Sequence, residues 1–509
     1  MLFLRTDANT QIGTGHLMRC LALAQAWQKE EDRPVFLTCC ESKSLYEPIR
    51  KAGMTLTPLE HTHPDPLDVQ ATLCSLEDFR KQYGASRRTV WVVLDGYHFD
   101  PGYQQSLREG GYPLVVIDDT AHWPRYYADL VLNQNINAEK LDYDCLPNTS
   151  MLLGPRYVQL REEFLSWRGW KRHIPQKARR LLVTMGGSDP NNATLQVMRA
   201  IEKLNVRELE TILVVGASNP HFHKLLEAVS HSKSKIRLEY NCPEMSKLMS
   251  WADFAISAAG ITCWELAFMG VPSAVLALAE NQRAVAQALH EAGVATNLGW
   301  YEQIDPETIA QVLNKLRLSG QKRETMSALG RTLVDGFGPD RVLAHLRGHP
   351  IRLRRVVEQD AAMLFKWAND IHVRAVSFSS EPISWQEHLN WLASKVSDPL
   401  CFFFVAVNKE ERLIGQARFD LKGEEADISV SLDPHFRGMG NGRALIRLAC
   451  QKVRRLSGAN VIHAYVKKDN DRSIKAFLGS GFERVGETTI HGKQSVHLVS
   501  KNGDKDELH

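Results

Sequence analysis

The chain has 509 residues, more than one hydrophobic core usually holds, so two to four domains are expected. Hydrophobic residues make up 44% and charged residues 24%, which excludes a disordered or fibrous chain and fits an ordinary globular one. A net charge of +3 gives no reason to expect nucleic acid as a partner, and no apolar run approaches the roughly eighteen residues that span a membrane. The N-terminus lacks the basic-then-apolar pattern of a signal peptide. KDEL occurs inside DKDELH, but a retention signal must end the chain and His509 follows it. Nine cysteines, including the neighbours Cys39 and Cys40, show no CxxC or ligand-like spacing, so they read as reduced thiols of a cytoplasmic protein.

In chain order, the first informative stretch is LFLRTDANTQIGTGHLMRC. Leu2 to Leu4 reads as a strand, and the loop after it carries Gly13 and Gly15. His16 follows, then a helix with an apolar stripe at Leu17, Leu21, Ala24 and Trp27. Glycine lets the backbone approach a ligand closely, and the free N–H groups of a helix start favour anions. A histidine there can trade a proton near neutral pH beside a bound phosphate, or it can be a polar residue of the first turn. His61 and His63 in EHTHPDP have no matching acidic partners nearby, so a solvated loop is expected there rather than a metal site. TVWVVLDG and PLVVIDD read as buried parallel strands whose acidic or glycine ends open onto a site.

The charged, Trp-rich segment Arg161 to Arg179 reads as an interdomain connection. A second α/β series follows: RRLLVTMGGSDPNN with Gly186 and Gly187, then ETILVVGAS, ADFAISAAGITCWELAFMG and VPSAVLAL. The segment AAGITCWELAFMG supplies Gly260, Thr262 and Glu265. Thr-x-x-Glu is a capping box, or it places Glu265 on ribose hydroxyls with the helix start facing a diphosphate; spacing alone favours the capping box. Two α/β domains, each with a glycine loop, imply a cleft between them. After Gly348–His349–Pro350 a third unit begins.

DANTQIGTGHLMRCLALAQAW, GGSDPNN, AGITCWE and ALAENQ, in that order, resemble the UDP-sugar hydrolases of pseudaminic acid biosynthesis over roughly residues 1 to 345. The resemblance implies a two-domain glycosyltransferase-B-like fold similar to the MurG-type N-acetylglucosaminyltransferases. It also implies metal-independent removal of UDP from UDP-2,4-diacetamido-2,4,6-trideoxy-β-L-altropyranose by water attack at the anomeric carbon. On this resemblance His16 is the general base, Glu265 holds the uridine ribose, and Asn281 and Gln282 face the sugar or diphosphate. Tyr97, in DGYHFD after the third strand, lines the sugar site. The loop residues Gly13, Gly15, Gly187, Gly260 and Thr262 complete the expected substrate contacts.

In the third unit, Asp427 to Leu432 alternates as a strand. The run Arg437–Gly438–Met439–Gly440–Asn441–Gly442 then opens a helix with a stripe at Ala444, Leu445, Leu448 and Ala449. Glycines at a helix start expose consecutive backbone N–H groups, a cradle for a pyrophosphate. Together with HAYVKKDNDRSIKAFLGSGFERVG, the run resembles the GNAT N-acetyltransferases over roughly residues 351 to 500. This implies acetyl-CoA as co-substrate, bound by Arg437, Gly438, Gly440 and Gly442, with Val430 to Leu432 beside the pantetheine arm and Asn470 and Ser473 on the coenzyme. Many of these enzymes have a tyrosine four residues before the final Gly-Phe to protonate the departing thiolate; Phe477 stands there and cannot. Glu425 and Asp427 are candidates for taking the amine proton, or are solvated carboxylates. RAVSFSSEPISWQEHLNWL, with Arg374, Ser377, Trp385 and His388, resembles the acceptor side of acetyltransferases acting on nucleotide-linked 4-amino sugars.

The expected fold is α/β, two Rossmann-like domains (1–160 and 161–348) in a GT-B-like arrangement followed by an α+β GNAT domain (350–509). The expected partners are a UDP-linked amino sugar and acetyl-CoA, with no metal, nucleic acid or membrane. Two other functions fit the same residues: a MurG-like glycosyltransferase fused to an acetyltransferase, and a nucleotide-sugar sensor.

Overall fold

The computed structural model describes residues 1–9, 12–29, 34–40, 43–147, 149–347, 351–408, 411–438 and 440–501. Thr10 and Gln11 of the first loop, the Gly348–His349–Pro350 junction, Met439 and the DKDELH tail lie outside the described residues. The chain divides into two compact units, Met1–Leu343 and Ala344–His509, so the helix Gly338–Arg347 runs across the division. Among the described residues, no helix is long and apolar enough to cross a membrane.

The first unit holds two parallel sheets. One contains β1 (Leu2–Thr6), β2 (Val35–Thr38), β3 (Thr55–Pro58), β4 (Trp91–Asp95), β5 (Leu114–Ile117), β6 (Leu130–Asn133) and β7 (Ser150–Leu153). Its order is β3-β2-β1-β4-β5-β6-β7. The other contains β8 (Arg180–Thr184), β9 (Glu210–Val215), β10 (Lys235–Tyr240), β11 (Phe254–Ala258), β12 (Ser273–Ala277) and β13 (Ala295–Trp300), in the order β10-β9-β8-β11-β12-β13. Both are doubly wound, and chain order reverses between β1 and β4 in one and between β8 and β11 in the other. A crevice forms at the carboxyl ends of strands on either side of such a reversal. The glycine loops after β1, β8 and β11 and the Tyr97 loop all leave strands that flank these two points.

Tyr97 follows the fourth strand rather than the third, because the four-residue strands VFLT and TLTP precede it. The helix Gly15–Gln28 buries the expected stripe, but Cys20, Ala22, Leu23 and Ala26 are buried too. It packs against β1, β4 and the short helix Glu162–Leu165, so its far side is covered as well. The Arg161–Arg179 connection is not a free linker. Phe164 is fully buried, Trp167 and Trp170 pack on the second sheet's core, and Arg172 donates to the carbonyls of Met249, Ala252 and Met269.

The second unit is one seven-stranded sheet: β14 (Arg352–Arg355), β15 (Cys401–Val407), β16 (Leu413–Lys422), β17 (Glu425–Leu432), β18 (Val461–Lys467), β19 (Glu483–Ile490) and β20 (Lys493–Lys501). The order is β14-β15-β16-β17-β18-β20-β19, with β17–β18 the parallel pair among antiparallel neighbours. The helices Asn441–Ser457 and Asp471–Leu478 cover one face. On the other face, the helices Ala361–Ala368 and Trp385–Ser397 pack over β15. Leu445, Ile446, Ala449, Cys450 and Val453 turn into the core. Leu448, expected in that stripe, lies outside the buried arc and is 37% exposed.

Candidate active sites

His16 sits in the first turn of the helix Gly15–Gln28, and its Nδ1 lies 2.6 Å from Oδ1 of Asp95, a fully buried residue at the end of β4. Arg19, one turn further along, donates through Nε and Nη2 to the two Asp95 oxygens at 2.6 Å each. Its Nη1 reaches Asp119 at 2.8 and 2.9 Å. Burial alone would push the Asp95 carboxyl up, but Arg19 and His16 outweigh it and hold it at about 2. An ionised carboxylate only accepts, so the proton in the 2.6 Å contact belongs to His16 Nδ1. Nε2 then keeps its lone pair, and no group among the described residues bonds it. Nearby Arg19 reinforces this tautomer only through Asp95; its own Nη2 lies 3.1 Å from the same Nδ1.

The Tyr97 ring meets the His16 ring edge-on with centroids 5.0 Å apart. Its hydroxyl donates to Asp119 at 2.8 Å and accepts from Asn281 Nδ2 at 2.8 Å. Asn281 belongs to the helix Glu280–Glu291 of the second sheet's half, so two residues expected in one site meet at a single oxygen. Burial and Asp119 keep the Tyr97 phenol well above its usual value, and it remains a neutral donor.

The glycines show why the loops can close on each other. Gly13 has φ +78°, a left-handed conformation. A Cβ on Gly187 would stand 2.1 Å from Thr14 Oγ1, and one on Gly15 would stand 3.2 Å from Ile261 Cδ1. Glycine backbone of each half thus lies close against a side chain of the other, Gly187 against Thr14 and Gly15 against Ile261, where His16 begins its helix. Gly260 has room, its nearest neighbour being Gln282 Nε2 at 3.7 Å. Gln282 is partly committed, since its Oε1 accepts from Leu278 N at 2.9 Å.

The capping box is not made. Ile261 is the N-cap, Thr262 is the first helical residue, and no side chain caps the helix Thr262–Phe268. Glu265, itself buried, instead turns to the partly buried Arg161, accepting from Nη2 at 3.0 Å. Burial raises the Glu265 carboxyl in spite of Arg161. His61 and His63 each have one acidic neighbour that the sequence did not lead us to expect, Asp65 at 2.8 Å and Asp100 at 3.2 Å, but among the described residues no group of three such side chains comes together. The residues that sequence reasoning missed are Asp95, Arg19, Asp119 and Arg161. The acidic ends of TVWVVLDG and PLVVIDD were the available signal for two of them.

In the second unit, β17 and β18 pair at only three positions, ending at Asp427↔His463, although the strands continue to Leu432 and Lys467. Beyond that pair they part, leaving the β17 edge at Val430 and Leu432 facing a wedge in the sheet. Past β17 the chain reaches Gly438 (φ +73°) and Gly440 (φ +72°), and Gly440 caps the helix Asn441–Ser457. Gly442 has ordinary φ, and a Cβ there would meet Leu432 Cδ1 at 3.5 Å, so packing does not require glycine. Arg437 donates to Leu432 O at 3.1 Å and Asp370 at 2.9 Å, which ties down the glycine loop. Asn470 and Ser473 come together as a helix cap, with Asn470 Oδ1 accepting from Ser473 N at 3.2 Å.

Phe477 is an interior residue whose ring packs on Phe482 at 5.0 Å. Glu425 is exposed, while Asp427 is held by Lys422 Nζ at 2.6 Å. The acceptor-side segment is mixed. His388 is 1% exposed and donates from Nε2 to Ala361 O at 3.0 Å, a core histidine rather than a contact for an acceptor. Arg374 is spent on the carbonyls of Ser379 and Glu381, and Ser377 Oγ on Val373 O, whereas Trp385 is 43% exposed.

Residues 351–483 match the acetyltransferase (GNAT) domain, and residues 181–332 match the glycosyltransferase family 28 C-terminal domain. An uncharacterised protein of Methanocaldococcus jannaschii is 24% identical over 512 residues, covering 98% of this chain and 99% of its own length. A spore coat polysaccharide biosynthesis protein of Bacillus subtilis is 30% identical over 222 residues, 43% of this chain and 65% of its own. The UDP-2,4-diacetamido-2,4,6-trideoxy-β-L-altropyranose hydrolase of Campylobacter jejuni is 24% identical over 294 residues, 57% of this chain and 96% of its own. The chain therefore joins a region similar to nucleotide-sugar hydrolases to a GNAT acetyltransferase domain.

Proposed function

We propose that the chain catalyses two consecutive steps on one UDP-linked sugar. The C-terminal unit transfers acetyl from acetyl-CoA to the 4-amino group of a UDP-linked trideoxy amino sugar. The N-terminal unit then hydrolyses UDP from the product, UDP-2,4-diacetamido-2,4,6-trideoxy-β-L-altropyranose. The observation that carries the hydrolase reading is the His16–Asp95 pair, with Nε2 open where the glycine loops of the two halves meet. Similarity to the Campylobacter jejuni hydrolase supplies the substrate.

In this reading a water oxygen attacks the anomeric carbon and gives a proton to His16 Nε2, while the C–O bond to UDP breaks with its electron pair on the diphosphate. Asp95 stabilises the imidazolium that forms, and Arg19 keeps Asp95 ionised. Tyr97 and Asn281 hold the sugar side, Glu265 the ribose, and the backbone at Gly13, Gly15, Gly187 and Gly260 approaches the diphosphate, with Thr262 and Gln282 at its edge. UDP is already a good leaving group, so one positioned base and a polar cradle suffice, and no step assigns work to a metal. Acetyl-CoA lies along Val430 to Leu432 with its pyrophosphate at Gly438, Gly440 and Gly442, and Arg437, Asn470 and Ser473 shape that site.

The glycosyltransferase family 28 match favours a second reading, in which a sugar hydroxyl replaces water at His16. UDP release from the diacetamido sugar in buffer without any acceptor separates the two. His16→Ala should cut that release by about 10²- to 10⁴-fold and leave acetylation intact. Release within a few-fold of the unmodified chain removes His16 from the chemistry.

A further inference from the structure

Strand alternation places Ala426, Ile428, Ile462, Ala464, Val466, Val496 and Leu498 in the core on the helix-covered face of the second unit. Asp427, His463, Tyr465 and His497 therefore share the opposite face, which the helices over β15 do not reach. His463 is the last residue of β18 paired to β17, so this group stands at the apex of the wedge between those strands. The helix Ile371–Val376 and the segment after it border the same face: Lys467 Nζ donates to Ala375 O at 2.9 Å, and the Phe378 ring approaches His491 at 6.5 Å.

The hydrogen bonds within the group have a direction. Glu425 Oε2 lies 3.2 Å from His463 Nε2, and His463 Nδ1 lies 3.0 Å from His497 Nε2. Glu425 accepts, so neutral His463 donates from Nε2 and accepts at Nδ1. His497 must then donate from Nε2, which leaves the lone pair on its Nδ1. No group among the described residues bonds that nitrogen. The Tyr465 ring stacks on His497 at 4.7 Å and 15°, fixing the plane of the imidazole.

We propose that His497 is the catalytic base of acetyl transfer, taking the acceptor amine's proton at Nδ1, with His463 and Glu425 as positioning residues that relay charge to solvent. This rests on the acetyltransferase reading of the second unit. The acceptor ammonium gives one proton to His497 Nδ1. The freed nitrogen lone pair attacks the thioester carbonyl carbon, the new N–C bond forms, and the C–S bond breaks with its electron pair on sulfur. The second nitrogen proton passes to that sulfur as the thiol forms. His497 Nε2–H moves to His463 Nδ1, the His463 Nε2 proton moves to Glu425 and then to water, and one proton leaves per acetyl group.

The alternatives on the same face are weaker bases by position. Asp427 is bound to Lys422, and Glu425 lies at the solvent end of the relay. The charged and titratable groups on the same face as His497 include Asp420 and Lys422 of β16, Glu425 and Asp427 of β17, and His463, Tyr465 and Lys467 of β18; its partner on β19 is Gly486. Burial and His463 hold His497 below the usual histidine value, against the opposing pull of Asp427, so it is unprotonated at neutral pH.

The test follows thiol release by the full chain against pH, with acetyl-CoA and the UDP-linked 4-amino sugar as probes. The rate of the unmodified chain should fall as pH drops through the His497 titration. His497→Gln should lose about 10²- to 10⁴-fold in rate and lose that acid limb, with the acetyl-CoA Kd unchanged by calorimetry. Glu425→Gln should move the limb to lower pH, which a purely structural role would not do. If His497→Gln does not fold, His497→Ala carries the test through restoration of thiol release by added imidazole. A His497→Gln rate within a few-fold of normal with the limb intact, or no rescue of His497→Ala, overturns the proposal. Absence of thiol release by the unmodified chain overturns the acetyltransferase reading itself, and this inference with it.

Discussion

In the proposed hydrolysis His16 takes a proton from water while an ionised Asp95 holds its Nδ1–H, and Arg19 keeps Asp95 ionised by reaching both its oxygens. The same clamp makes Asp95 a stability element with a definite pH window. Its folded value of about 2 lies below the unfolded value of 3.8, so its contribution is complete above the unfolded value and is lost as pH falls toward 2. That shift corresponds to about 2 kcal/mol. Acid titration followed by circular dichroism should show the unmodified chain losing stability through this window. Asp95→Asn should be less stable at neutral pH and should show a flatter acid dependence; an unchanged acid profile would show that the clamp does not hold Asp95 ionised. Glu265 has the opposite sign, since burial raises its carboxyl and makes the ionised form costly as pH rises.

Among the elements, the glycine loops of the two units differ in what they demand of the protein. Gly187 is enforced by contact, because any side chain would strike Thr14, and Gly440 is enforced by its left-handed backbone. Gly442 is enforced by neither. Gly442→Val should therefore keep the melting temperature within about a degree or two of normal yet weaken acetyl-CoA binding by tenfold or more, about 1.4 kcal/mol. Unchanged affinity by calorimetry would mean that this glycine has no part in the coenzyme site. The four glycine loops were legible in the sequence because a strand, a turn and a helix start are local events. The partners of those loops were not. Asp95 is 79 positions from His16, and only the pairing of β1 with β4 brings them together. The spacing of Thr262 and Glu265 favoured a capping box, but Arg161 arrives from a distant segment and takes the carboxylate. His388 looked like an acceptor contact because burial of a single polar residue leaves no mark in a local pattern. The wedge between β17 and β18 depends on strand register, which no single segment of sequence encodes.

At the scale of the whole molecule, the proposed function has one chain perform two steps in a fixed order. Each compact unit carries its own strand, glycine loop and helix start, and each has its own buried core. The proposed order puts acetylation first, because the diacetamido sugar named for the hydrolase relative already carries both acetyl groups. The most direct measurement incubates the full chain with the UDP-linked 4-amino sugar, with and without acetyl-CoA, and follows sugar mass and UDP together by mass spectrometry. With acetyl-CoA, the acetylated UDP-sugar should appear first, followed by free UDP and the free diacetamido sugar. Without acetyl-CoA, the amino sugar should remain linked to UDP. Rapid UDP release from the unacetylated sugar, or acetylation with no later UDP release, would contradict the account.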